Sequence, residues 1–187
     1  MRRPLLAAAA VIGLLVLSLG TPLANTQAKD SQPKEPPPDV PDSIQAPAGE
    51  EVVLSVHASG SQIYTCQAGA DSKFSWTLKA PEAELRDRKD KVIGQHSAGP
   101  TWTLKDGSAV TGKAVARVES PDPDSIPWLL VTVVSHSGKG LLTNVTTIQR
   151  IHTQGGQPPA SGCDESHRDA ETKSSYTADY YFYAPAK

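Results

Sequence analysis

Three kinds of side chain in this sequence could do chemistry: five histidines, two glutamates at alternate positions, and a few large aromatics. The histidines are His57, His96, His136, His152 and His167. They form no HxH or HExxH pair, so the spacing that brings imidazoles onto one ion is missing and no metal site is predicted. Glu82 and Glu84 would share one face of a strand. With His96 they could act as acid and base on a bond of an extracellular polymer, although a solvated strand face shows the same spacing. No GxSxG elbow is present, and Gly138-Lys139-Gly140 is too short for a phosphate loop. No cofactor is implied. The aromatics speak for binding instead. Trp102 closes a loop that His96 opens, and Tyr181 and Tyr183 would lie on one face of a terminal strand. Flat rings with polar tips can stack on sugars or other planar ligands, so His96, Trp102, Tyr181 and Tyr183 form the candidate ligand-binding set. Trp76 and Trp128 are phased as core.

The elements that must hold these residues are strands. Lys73 to Lys79 alternates polar and apolar residues without a break, and Val52, Leu54 and Val56 repeat the pattern. Ile63 to Cys66 reads as a further short strand, entered through Ser59-Gly60-Ser61. Asp106-Gly107 predicts a hairpin with a type I′ turn, and Arg88-Lys89-Asp90 predicts a second hairpin tip. Trp128 to Val134 is apolar except for Thr132, which predicts a strand buried on both faces. Leu141 to Ile151 should pair with it across Ser137 to Gly140, and Thr177 to Tyr183 is the last strand. Helix is confined to one turn capped by Asp164. The fold class is therefore all-β: an antiparallel sandwich or a partly closed barrel of about ten short strands.

The chain has 187 residues and begins with Arg2-Arg3, an apolar run from Leu5 to Leu19, and small residues at Thr26 and Ala28. That run is shorter than the roughly 20 residues a stable span needs, so residues 1–28 are predicted to be a cleaved signal peptide. Cleavage after Ala24 is the alternative. Localisation is accordingly secreted or extracytoplasmic, with no stable membrane span after cleavage. Loss of the two arginines makes the formal charge of −2 more negative still, which argues against a nucleic-acid partner. Residues 29–47, with Pro36-Pro37-Pro38, predict a disordered, proline-rich tether, and residues 48–187 the β-rich domain. Cys66 and Cys163 are the only cysteines, and in an oxidising compartment they should form one disulfide. Closing a loop of nearly a hundred residues, it would contribute about 4 kcal/mol.

Several blocks carry a resemblance as an ordered set. They include Gln62 to Cys66, Trp76 to Leu85, His96 to Trp102, Ile126 to Leu130, Gly155 to Pro159 leading to Gly162-Cys163-Asp164, and Tyr176 to Tyr183. In that order they resemble a family of secreted bacterial and fungal proteins known as domain-of-unknown-function family 3455. The resemblance implies an exported β-rich domain and brings no activity with it. The expected function is a non-catalytic extracytoplasmic ligand-binding or envelope-associated module, its partner a small molecule, a glycan or an envelope polymer. The alternative is a small secreted hydrolase working through a carboxylate and His96.

Overall fold

Alternating sequences of this kind bury one face of every strand, and a sheet that curls shut leaves no edge to protect. The computed structural model, which describes residues 35–187, takes that solution. Its strands are β1 (Glu50–Ala68), β2 (Phe74–Arg86), β3 (Val92–Ser97), β4 (Thr101–Leu104), β5 (Ala109–Val118), β6 (Trp128–Ser137), β7 (Thr147–Gly155) and β8 (Glu171–Pro185). Each pairs antiparallel with the next, and β8 pairs with β1 to close an up-and-down barrel. The signal sequence expected over residues 1–28 lies outside the described residues.

Eight strands replace the expected ten because two apparent breaks lie inside strands. Gly60 sits within β1, where a side chain would meet the Glu82 carbonyl oxygen at 2.1 Å, so its job is to let β2 approach. Pro81 sits within β2, two residues from a register shift opposite Ile63 and Tyr64, the kind of irregularity that tolerates a missing N–H. The hairpin at Asp106-Gly107 is present with a different turn. Only Gly107 is left-handed (φ 90°), and Leu104 N–H donates to the Ser108 carbonyl while Gly107 N–H donates to Leu104. This is a type I turn followed by a left-handed residue, and the Asp106 carboxylate fastens it by accepting from the Ser108 N–H and hydroxyl. The β2–β3 hairpin turns over Asp87 to Lys91, as the sequence predicts.

The interior is filled by side chains from all around the wall, among them Val56, Ala58, Leu85, Trp102, Val131, Ile148, Tyr180 and Phe182. One end is plugged by Leu142 and Val145 from the β6–β7 connection, which Asp106 holds by accepting from the Leu141 N–H. The other end is covered by the connection between β5 and β6. Its Ile126 packs into the core and its Ser125 bridges to Gly156. The disulfide Cys66–Cys163 ties the end of β1 to the β7–β8 connection at this same end. That connection carries a single 3-10 turn, Glu165–His167, with Asp164 accepting from Ser166 N–H at its start.

Of the tether expected over residues 29–47, the first six residues lie outside the described residues, and the part from residue 35 onward lies against the barrel. Val40 and Ile44 are buried on the outside of the barrel, with a 3-10 turn at Asp42–Ile44. They pack with Ile151, Trp128, Leu130, Val118 and Tyr181. Gln149 donates to the Ile44 carbonyl and accepts from the Tyr183 hydroxyl, and Glu35 pairs with Arg88 and Ser55. The segment is thus a strap, because it carries just enough apolar surface in Val40 and Ile44 to cover an apolar outer stripe. The same strap corrects the reading of β6 as buried on both faces throughout. Val131 faces the interior, Trp128 and Leu130 lie under the strap, and Val134 beyond it is 60% exposed.

Candidate functional site

The residues singled out in the sequence fall on both sides of the wall. His96 belongs to strand β3 rather than to a loop, pairs with Trp102 of β4, and turns inward with it. The two rings stack at 4.3 Å between centroids, and Tyr180 meets both edge-on. Both are almost fully buried, so Trp102 does not line an open groove. Tyr181 and Tyr183 point outward, beneath the strap. The expected four-residue site is therefore split by the barrel wall, as strand alternation demands once β8 runs through it. Trp76 and Trp128 are only partly buried; the Trp76 indole donates to the Ser161 carbonyl, and Trp128 packs under the strap.

Inside the barrel the polar groups form a cluster that sequence reading missed. Arg150 of β7 is in phase with the interior residue Ile148 and sits opposite Tyr180 of β8. Its Nε and Nη2 donate to the Pro127 carbonyl at 3.2 and 2.8 Å. Among the described residues no acidic side chain forms an ion pair with it. Near it lie Tyr64, whose hydroxyl donates to the Gly156 carbonyl, and the hydroxyls of Tyr176 and Tyr180. Those two hydroxyls adjoin each other without a hydrogen bond of ordinary geometry, and Trp102 Nε1 and Gln62 Nε2 have no partner. Burial raises the pKa of both tyrosines. His96 is held neutral: burial, reinforced by the Arg150 charge, lowers its pKa to about 4, against a partly opposing bond to the Thr101 carbonyl. With Nδ1–H donating to that carbonyl, Nε2 is left as an acceptor.

On the outer wall a groove of about 420 Å³ crosses β1, β2 and β3. Small residues, Ser59, Gly60, Ser61 and Ala83, make its floor, and Glu82, Glu84, Gln95 and Lys173 stand around it. Glu82 accepts from Lys173 at 2.5 Å and Glu84 from Arg86 at 2.5 Å. His96 belongs to the same stretch of wall, but its ring is turned to the interior stack and away from the carboxylates. Elsewhere on the outer face His57 and His152 each place Nδ1 2.9 Å from one oxygen of Asp179. Spacing rules could not find that trio, since its members come from three strands; the only local sign is the left-handed His152 (φ 49°) at a bulge in β7. Among the described residues no group of three or more His, Cys, Asp or Glu side chains is arranged to hold a metal ion.

An eight-stranded antiparallel barrel with a disulfide across one end, an apolar interior holding a cluster of polar groups, and a polar outer groove defines an all-β domain of the closed-barrel class. Residues 47–184 match the family described as "Protein of unknown function (DUF3455)", and the chain belongs to that family. No curated protein and no solved structure matches the chain.

Proposed function

We propose that the domain is an exported, non-catalytic binding module and that its outer groove takes a hydroxyl-rich chain, an extracellular or envelope glycan. The groove itself carries this reading. Its volume lies in the range of ligand sites, it is lined by small residues, and beside them stand carboxylates (Glu82, Glu84), an amide (Gln95) and an ammonium (Lys173, paired with Glu82). Sugar hydroxyls both donate and accept, so such a lining can satisfy them from either side. Four contacts worth about 1 kcal/mol each would bind one sugar unit at roughly millimolar strength, and a polymer spanning several units more tightly. The ion pairs at Glu82 and Glu84, with the His96 ring facing inward, argue against an acid–base pair aimed at a scissile bond.

The test is an amide NMR titration of the mature protein with envelope glycan fragments and neutral oligosaccharides. Saturable shifts should centre on Ser59 to Ser61 and Gln95 and vanish in Ser61→Tyr, which fills the groove. Shifts centred elsewhere, no shifts, or an unaffected Ser61→Tyr protein would reject the groove. Release of reducing ends by the wild type, lost in Glu82→Gln, would install the hydrolase instead.

A further inference from the structure

We infer that the barrel interior is a binding site for an oxyanion, held by the Arg150 guanidinium together with the hydroxyls of Tyr176 and Tyr180. The argument is one of charge and of donors. Arg150 is a partly buried cation that donates to the neutral Pro127 carbonyl and also lies beside the neutral Tyr180 hydroxyl. A guanidinium has five N–H donors, so part of its capacity is uncommitted. No carboxylate among the described residues balances its charge, and a charge taken from water without a counter-charge is strongly disfavoured. The groups around it are neutral: His96, Tyr64, Tyr176 and Tyr180.

Inside the barrel the unpartnered groups are of one kind, whereas Glu50 Oε2 and Trp128 Nε1 lie elsewhere. Tyr176, Tyr180, Trp102 and Gln62 are each at least 97% buried, and their orphaned atoms are two hydroxyls, an indole N–H and an amide nitrogen. All four can donate. Water would accept some of these bonds and leave the positive charge standing. An oxyanion accepts several donors at once and neutralises the guanidinium, which is why arginine with neutral donors recurs wherever carboxylates and phosphates are bound. The carboxylate of a small organic acid and a free inorganic oxyanion share this chemistry, and the test separates them.

Entry is through the end covered by the β5–β6 connection. Pro127, which holds Arg150, belongs to that connection. So does Ser125, whose hydroxyl accepts from Gly155 N–H and donates to Asp122, and whose carbonyl accepts from Gln157. With the Ile126 N–H donating to Gly155 and the Thr153 hydroxyl donating to Ile126, these are the bonds an incoming anion must loosen, so binding should be slow.

The experiment uses the mature protein in Tris chloride, titrated with acetate, benzoate, phosphate and sulfate by calorimetry and thermal melting. The expected result is a saturable rise in Tm for at least one anion. Its affinity should fall about ten-fold or more in Arg150→Gln and in the double variant Tyr176→Phe/Tyr180→Phe. Response to acetate or benzoate identifies a ligand carboxylate; response to phosphate or sulfate alone identifies an inorganic oxyanion. Mass spectrometry of the acid-denatured supernatant shows an organic acid retained through purification. No saturable response, or an equal response in the variants, overturns the proposal. A water-filled interior predicts that outcome, with Arg150→Gln more stable than wild type in every buffer. Should Arg150→Gln fail to fold, the tyrosine variants decide, because they keep ring and volume.

Discussion

Acidification should unfold this barrel through His96, and the window can be set from its surroundings. In the unfolded chain the imidazole titrates near 6.5, whereas burial in the interior, with the Arg150 charge nearby, holds it down to about 4. Between those values the unfolded state binds a proton that the native state refuses. Stability therefore rises with pH across the window; it is fully retained above pH 6.5 and is lost as pH falls toward 4. At about 1.4 kcal/mol per pH unit, the full window is worth roughly 3 kcal/mol, a large share of a domain's typical 5–15 kcal/mol. The assay is urea unfolding followed by tryptophan fluorescence from pH 7.5 to 4, comparing the wild type with His96→Gln, which keeps a donor for the Thr101 carbonyl. The wild type should lose about 3 kcal/mol over the window and the variant should lack that slope. Asp164, held down to about 2 chiefly by the Ser166 hydroxyl and His167, loses its bonds at lower pH and does not obscure the comparison. Parallel curves for the two proteins would refute the reasoning and mean that His96 is hydrated or protonated in the native barrel.

Two further outcomes follow from packing. Ile44→Ala empties a fully buried position under the strap and should cost about 3 kcal/mol in urea unfolding; a loss below about 1 kcal/mol would make the strap a passive spacer. Replacing both Cys66 and Cys163 by alanine opens a loop spanning 97 positions and should lower stability by about 4 kcal/mol, read from the same unfolding curves. A change under about 1 kcal/mol would show that the β1 end is held by its hydrogen bonds to Ala170 and Asp169 rather than by the disulfide.

Period-two alternation made the strands legible in the sequence, and the cysteine count made the disulfide legible, because both are local or arithmetic signals. The site was legible only in pieces. His96 and Trp102 do meet, and Tyr181 and Tyr183 do share a face, yet whether those two faces coincide depends on which way β8 enters the closed sheet. Phase along one strand says nothing about that. Arg150 gave no signal at all. In the run Thr147-Ile148-Gln149-Arg150-Ile151 an arginine reads as the wet face, and only its register beside Tyr180 and its bonds to Pro127 show that it points inward.

The apolar run of β6 held more information than a two-faced strand. A barrel wall has one inner face, so a strand apolar on both faces requires something to lie on its outside. Trp128 and Leu130 make that demand, Gln149 adds an amide that needs a carbonyl, and the proline-rich segment before β1 answers both. Its prolines keep it extended and leave it few donors to satisfy, and two apolar residues, the hydrogen bond its Ile44 carbonyl accepts and the contacts of Glu35 with Arg88 and Ser55 lay it down. The strap also covers Tyr183 and part of Tyr181, which sets them against this chain's own residues, on the opposite side of the wall from His96 and Trp102.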